Sequence, residues 1–344
     1  MDVPTRSKPQ LCLFLSLALV MAGCAAEDPP TFEHDLTSAV MPWTHDRFDD
    51  GPGQFTFAVF SDLNGGERSG VFAVAAEQLA LLRPELVLSV GDLIDAPIDD
   101  VASLTREWDA FDERANTMRA PVFRVGGNHD LTGEVLRDVW TERYGPKYYH
   151  FIYKNVLFFV LDTEDHTPER TSEIFDARSA AVRALDAGEP GARDMEYFRI
   201  PERVTGNIGP EQSEYFLSVL AGHPEVRWTM LFMHKPVWED DGDPEFTAIE
   251  AALSGRPYTV FNGHRHSMSH REKNGRDYIM LSTTGGSQNG ADPMAFDHVT
   301  LVTVADDGPS IAHLRLDGIL GKDGSIPAGG GELCFQTSAC GGNQ

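Results

Sequence analysis

Basic residues are scarce in this chain of 344: 28 Lys and Arg stand against 53 Asp and Glu, a formal charge of −25. A field of that sign repels long polyanions, so nucleic acid is not expected as a partner. A long apolar run is lacking too, because the longest, Leu11 to Met21, has eleven positions and is too short to cross a bilayer as a stable helix. There is no internal repeat, and cysteines number only four. What is present is ordinary for a globular enzyme. With 41% hydrophobic, 10% aromatic and 24% charged residues, the chain can bury one large core, and one catalytic domain is the default.

The short apolar run follows Arg6 and Lys8 and precedes Ala22 and Gly23, the layout of an export signal. Met21-Ala22-Gly23-Cys24 resembles a bacterial lipoprotein box, which implies cleavage before Cys24 and a lipid on that residue. The expectation is a signal peptide at 1–23 and an exported, lipid-anchored protein; the alternative is an ordinary signal peptide cut after a small residue, with Cys24 incidental. Ala25 after the lipidated Cys favours an outer-membrane position facing the periplasm. Cys12 leaves with the signal, so Cys334 and Cys340 remain in an oxidising compartment and are expected to pair as a disulfide. That bond would close a small loop in the Gly-rich tail 319–344.

Residues 24–53 show little periodicity and read as a tether. From Gln54, apolar runs alternate with amphipathic stretches: strands at Phe55–Phe60, Leu86–Val90 and Val122–Val125, helices at Gly70–Leu82 and Val101–Met118. This opening predicts an α/β domain over 54–318. Tyr148–Tyr153 and Val156–Leu161 read as a hairpin about Lys154-Asn155. Residues 163–209, rich in charge and helical near Ser172–Leu185, read as an insertion over one face. A helix from Pro210 to Ala221 and five later strands complete the domain.

Five polar clusters follow strand-like runs: Ser61-Asp62-Leu63-Asn64, Gly91-Asp92-Leu93-Ile94-Asp95, Gly127-Asn128-His129-Asp130, Met233-His234-Lys235-Pro236 and Gly263-His264-Arg265-His266. Open α/β sheets build ligand sites at the carboxyl ends of strands. Two divalent cations about 3.5–4 Å apart require several carboxylates and imidazoles to converge, with one carboxylate shared.

In these clusters the chain resembles the calcineurin-like metallophosphoesterases, whose pattern is D-x-H, G-D-x-x-D, G-N-H-D/E, H and G-H-x-H, matched in order from Asp62 to His266. The resemblance implies a four-layer sandwich of two mixed sheets flanked by helices, and hydrolysis of phosphate mono- or diesters by a water activated between two metals. It implies Asp62 and His266 on the first metal, Asp92 bridging, and Asn128, His234 and His264 on the second. His129 would contact the phosphate and assist the leaving group, with Asp130 fixing its imidazole.

Asn64 departs from the pattern, which has His there. An amide oxygen in that place tilts the first site towards Mn²⁺, with Mg²⁺, Ca²⁺, Fe or Zn²⁺ as the other candidates. Asn64 reads equally as a ligand or as a hydrogen bonder behind one. Asp95 replaces the Tyr that binds ferric iron in purple acid phosphatases, so no iron–tyrosinate centre is expected. His34, His45, His166, His223, His270, His298 and His313 fall outside the pattern and read as structural or solvated. The segment Thr283–Ser287 reads either as a pocket wall offering backbone N–H groups or as a turn. The expected partner is a small or surface-attached phosphate ester. The competing reading is a catalytically silent metal- or phosphate-binding lipoprotein with an incomplete first site; a nuclease sharing these motifs conflicts with the charge and with export.

Overall fold

A computed structural model of the protein describes residues 31–48, 53–64, 66–95, 100–239 and 242–340. The segment expected to be a signal peptide, with Cys24 and Ala25, lies outside the described residues. Among those described, no helix is long and apolar enough to cross a membrane.

The opening is β1 (Phe32–Glu33), β2 (Phe55–Phe60), α1 (Val71–Leu82), β3 (Leu86–Ser89), α2 (Val101–Ala115), β4 (Val122–Phe123), α3 (Asn128–Leu131) and α4 (Glu134–Tyr144). The middle contains β5 (Tyr149–Tyr153), β6 (Val156–Val160), α5 (Pro168–Asp186), α6 (Glu202–Thr205) and α7 (Pro210–Gly222). The remainder is β7 (Trp228–Phe232), α8 (Pro244–Ala252), β8 (Tyr258–Asn262), β9 (Ser269–Lys273), β10 (Arg276–Met280), β11 (His298–Ala305) and β12 (Gly308–Arg315). The β5–β6 hairpin turns on Lys154 and Asn155, both at positive φ (46° and 61°), the twist a two-residue hairpin requires.

The strands form two mixed sheets, ordered β1-β5-β6-β7-β8-β10-β9 and β12-β11-β2-β3-β4. In the second sheet β2, β3 and β4 run parallel. In the first, β6, β7, β8 and β10 run parallel. Between the sheets lies an aromatic seam. Phe123, Phe151, Phe158, Phe232 and Phe261 stack in series with centroid spacings of 4.2, 4.6, 6.1 and 5.2 Å. Phe57 meets Phe158 and Phe232 edge-on at 5.5 and 6.0 Å. Each such fully buried ring contributes about 1.5–3 kcal/mol by leaving water, and the ring pairs add about 0.5–1.5 kcal/mol each. A second core lies under α1, α2 and α4, and a third under α7 and α8. The result is the helix–sheet–sheet–helix sandwich expected from the resemblance.

Two boundaries differ from the sequence reading. The compact unit begins at Thr31, not near Gln54, so residues 31–48 are not tether. Trp43 is 6% exposed and packs on Phe123 and Tyr149, while Phe32, Leu36, Met41 and Phe48 join the same core. The physical reason is that β4 would otherwise be a bare edge: Arg124 N–H donates to the Pro42 carbonyl (3.0 Å) and Val122 N–H to Thr44 Oγ1 (3.1 Å). The Gly-rich tail from Ile319, set outside the domain by the sequence reading, also packs on it. Ile319, Ile326 and Leu333 pack against the α1 core, and Phe335 is buried within it. The Cys334–Cys340 disulfide is present.

If residues 31–48 belong to the core, Trp43→Ala will cost about 3–5 kcal/mol. Urea unfolding checks this, and a midpoint equal to that of the unsubstituted protein would restore the tether reading.

Candidate metal centre

The sheets place Asp62, Asp92 and Asn128 just beyond β2, β3 and β4, and His234 and His264 just beyond β7 and β8. All five clusters therefore converge where the carboxyl ends of the two sheets meet. Several of these side chains are aimed by unusual backbone. Asp62, Asp92, His264 and His266 all have positive φ (35°, 59°, 78° and 53°), a conformation costing of order 1–3 kcal/mol for a residue with Cβ. Close approach is bought with glycine. A Cβ on Gly263 would lie 2.3 Å from Asp62 Oδ2, and one on Gly127 would lie 2.3 Å from Asp92 Oδ1.

Two sets of donors form around Asp92. Asp92, His234 and His264 make one and Asp62, Asp92 and His266 the other, each with its ligand atoms within 4.8 Å of one another. His234 Nε2 lies 3.1 Å from Asp92 Oδ2 and 3.2 Å from both Asn128 Oδ1 and His264 Nδ1. His266 Nε2 lies 3.2 Å from Asp62 Oδ1. Asp92 Oδ1 also accepts the His129 N–H at 2.9 Å.

The residues present fit cations. Each of three imidazoles has its outer nitrogen on a backbone carbonyl: His234 Nδ1 on Val90 (2.9 Å), His264 Nε2 on Arg203 (2.7 Å) and His266 Nδ1 on Ser287 (2.6 Å). A carbonyl only accepts, so those nitrogens carry the protons and the inner ones present lone pairs to the centre. Asn64 donates Nδ2–H to the Ile94 carbonyl (2.6 Å), and its buried Oδ1 has no hydrogen-bond partner. A buried amide oxygen left without a hydrogen-bond partner, two residues after Asp62, suits a cation ligand. None of the other histidines joins either donor set among the described residues. His270 pairs with Asp277, His313 with Thr300, and His298 is buried.

Charge follows this geometry. Burial opposes the ionised form of Asp92, but His234 and His129 outweigh it and hold the carboxyl well below the usual range. Burial likewise opposes charge on His234, yet Asp92 raises it to about 9, so the inner Nε2 offers its lone pair only where a cation takes the place of that second proton. Burial, then the neighbouring His234 and Lys235, keeps His264 well below its usual value. Burial pushes His129 down to about 4, against the pull of Asp92 and with a further push from Arg178.

One expected role is corrected. Asp130 does not orient the His129 ring, whose Nδ1 lies 2.9 Å from the Asp95 carbonyl. The Asp130 carboxylate instead accepts the backbone N–H groups of Gly127 (2.8 Å), Asp92 (2.8 Å) and Leu93 (2.9 Å), and so fixes the turn that carries Asp92. The cause is local: Gly127–Asp130 is the first turn of α3, and the carboxylate caps it and the neighbouring loop together. Asp95, by the same logic, accepts Gly66 N–H (3.2 Å) and Glu67 N–H (3.4 Å) and acts as a support. Arg265 turns outward and pairs with Glu239. The Thr283–Ser287 segment does not offer its amides to the pocket: Thr284, Gly286 and Ser287 donate to the carbonyls of Ser61, Asp62 and Asn64.

The insertion reaches the centre through Arg203, whose carbonyl holds His264. Behind it, Lys235 Nζ, just beyond β7, joins the Glu202 carbonyl (2.9 Å) to the Glu164 carboxylate (2.5 Å), holding the two ends of this segment together. Sequence reasoning missed the carbonyls of Val90, Arg203 and Ser287.

A buried carboxylate shared by two imidazole-bearing donor sets, at the joint carboxyl edge of a four-layer sandwich, is a candidate two-cation centre. The chain belongs to the calcineurin-like phosphoesterase family, whose sequence model matches residues 55–268. That family is dimetal-dependent and includes inactive members. Solved structures of similar fold include a dimetal phosphatase from Danio rerio (14% identity, 76% of this chain and 98% of that one, TM-score 0.51). A purple acid phosphatase from yellow lupin (Lupinus luteus) seeds shares 14% identity over 78% of this chain and 53% of that one, TM-score 0.52. The Plasmodium protein GAP50, an anchor in the inner membrane complex, shares 13% over 80% and 87%, TM-score 0.50. No curated protein matches the chain.

Gly263→Ala tests the packing. Overpacking against Asp62 will cost about 1–3 kcal/mol in urea unfolding, whereas Gly222→Ala, with nothing within 4 Å of the added carbon, will be near neutral. Equal effects would show that the close approach is not constraining.

Proposed function

We propose that the protein hydrolyses phosphate mono- or diesters with two divalent cations, held by Asp62, Asn64, Asp92 and His266 on one side and by Asp92, Asn128, His234 and His264 on the other. The observation that carries this is the sharing of Asp92 between two donor sets whose imidazoles all turn lone pairs inward. Cations bound there supply positive charge that lowers the pKa of a water and stabilises the phosphoryl oxygens. The first set offers three oxygens and one nitrogen, which favours Mn²⁺ over tightly bound Zn²⁺.

The chain's own residues do the rest. Asp92 stays ionised in a buried position because His234 and His129 flank it. Asp130 holds the Asp92 turn so that the carboxylate reaches both sides. His129 lies against this edge with Nδ1–H on the Asp95 carbonyl, so its Nε2 accepts a hydrogen bond when neutral. It can pass a proton to a leaving oxygen only after taking one up. The competing reading, a silent binding protein, draws on Asn64 and on the inactive members of the family; the orphaned Asn64 oxygen and the retention of His129 weigh against it.

Elemental analysis of the purified protein, paired with hydrolysis of p-nitrophenyl phosphate and bis-p-nitrophenyl phosphate in Mn²⁺, tests the proposal. Two metals per chain and cleavage of either ester are expected. Asp92→Ala should lose metal and at least about 1,000-fold in kcat/KM. His129→Ala should keep metal but turn over about 100-fold more slowly or worse, most for poor leaving groups. Asn64→Ala should weaken Mn²⁺ binding at one site. A protein with one metal or none after Mn²⁺ is supplied, and cleaving neither ester, would be the silent binder.

We also propose an exported protein anchored by lipid on Cys24, facing the periplasm from the outer membrane and acting on small or surface-attached esters. The leader at 1–23 and the disulfide support it. Cys24→Ala should move the protein from the membrane fraction to the soluble or uncleaved precursor pool; unchanged lipidation would end this reading.

A further inference from the structure

The C-terminal segment reaches the metal centre through one chain of contacts. The disulfide closes a loop from Cys334 to Cys340, and within it Thr337 donates N–H (3.1 Å) and Oγ1–H (3.4 Å) to Gln288 Oε1. Gln288 returns an Nε2–H to Thr283 Oγ1 at 2.9 Å, spanning its own turn. The residue before it, Ser287, accepts His266 Nδ1–H at 2.6 Å and donates N–H to the Asn64 carbonyl at 3.1 Å. The residue that sets the His266 tautomer therefore sits next to the residue that the loop grips.

A second clamp holds the same turn. Arg68 donates to the Cys334 carbonyl (2.7 Å), to the Gly286 carbonyl (3.1 Å) and to both oxygens of Asp297 (2.7 Å each). Asp297 donates N–H to the Phe335 carbonyl (2.7 Å) and accepts Gly285 N–H (2.8 Å) and Thr283 Oγ1–H (2.9 Å). Gly286 N–H donates to the Asp62 carbonyl at 3.0 Å. Residues 283–288 are thus gripped on one side by 334–337, and on the other they touch Asp62, Asn64 and His266.

The other donor set is held differently. His234 and His264 rest on the carbonyls of Val90 and Arg203, which come from the end of β3 and from the insertion. No contact among the described residues joins either of those carbonyls to the C-terminal loop.

We propose that the disulfide-closed loop Cys334–Cys340, acting through Gln288, is a positioning element for the metal site of Asp62, Asn64 and His266 and not for the site of His234 and His264. This rests on the two-cation reading above. The need is physical. Leu333 and Phe335 anchor the start of the loop in the α1 core, but residues 336–340 beyond them are half-buried or exposed. Closing the loop covalently removes chain entropy that a few hydrogen bonds to Gln288 would otherwise have to overcome. The site so supported is the one where Asn64 stands in place of an imidazole, so its affinity leans most on the orientation of His266. Loss of a carbonyl partner behind a ligating imidazole typically weakens metal binding by about 10–100-fold.

The test is Mn²⁺ titration of the metal-free full chain by calorimetry, with electron paramagnetic resonance to separate a manganese pair from single ions. It is applied to the native protein, to the double variant Cys334→Ser with Cys340→Ser, and to Gln288→Leu, which cuts the bridge with the disulfide intact. The expected result is two sites in the native protein. In both variants one affinity should fall about 10–100-fold, the other should stay within about twofold, and single-ion signal should replace pair signal at limiting Mn²⁺. Native affinities at both sites in Gln288→Leu, or equal losses at both sites in the two variants, would overturn the inference while leaving the two-cation reading intact. A native chain that binds fewer than two ions would remove both.

Discussion

The buried carboxylate of Asp92 is the charge around which this structure is arranged. An isolated carboxylate taken out of water is costly by many kcal/mol, and here it is tolerated because His234 sits at 3.1 Å and the His129 amide donates at 2.9 Å. The turn bearing it adopts a backbone conformation that side-chain-bearing residues avoid, and Asp130 holds that turn by accepting N–H groups along it. A second carboxylate, Asp62, is treated likewise by His266, Ser61 and the His264 amide. Four residues at positive φ in one site represent several kcal/mol of backbone strain, which the surrounding core has to offset.

That offset comes from the two sheets. The phenylalanine series from Phe123 to Phe261 crosses the interface and leaves the strand ends little freedom. Because β2, β3 and β4 run parallel, as do β6, β7 and β8, their carboxyl ends bring oxygen donors from one sheet opposite imidazoles from the other. The periphery then finishes the site. The insertion contributes the Arg203 carbonyl, the segment after β10 contributes that of Ser287, and the chain preceding β2 covers the edge of β4.

Much of this was legible along the chain. The strand ends could be located because short apolar runs stop abruptly at Gly and polar residues, and the five clusters carry donors whose types alone suit divalent cations. Helix α8 was missed although its signal is present: Asp243 caps the first turn, accepting the Phe246 N–H, and Pro244 opens the helix. Strand β9, Ser-His-Arg-Glu-Lys, offered no such signal, since an exposed edge strand needs no apolar alternation. Residues 31–48 were misread because segments that drape over an edge have no period. The role of Asp130 was misassigned because adjacency in sequence to His129 says nothing about where a carboxylate points from the first turn of a helix.

The sequence by itself determined which chemical groups are available: two carboxylates, two amides and three imidazoles at strand ends, an excess of acid over base, and two cysteines near the C-terminus. Side-chain identity is enough for that, because donor type is a property of the residue. Only the tertiary structure decided how those groups are presented. The proton on each imidazole is set by the carbonyls of Val90, Arg203 and Ser287, and the support of His266 runs back to Gln288 and the Cys334–Cys340 loop. Every residue carries a carbonyl, so nothing in a sequence distinguishes the three that matter; packing alone brings them within 3 Å of the rings they hold.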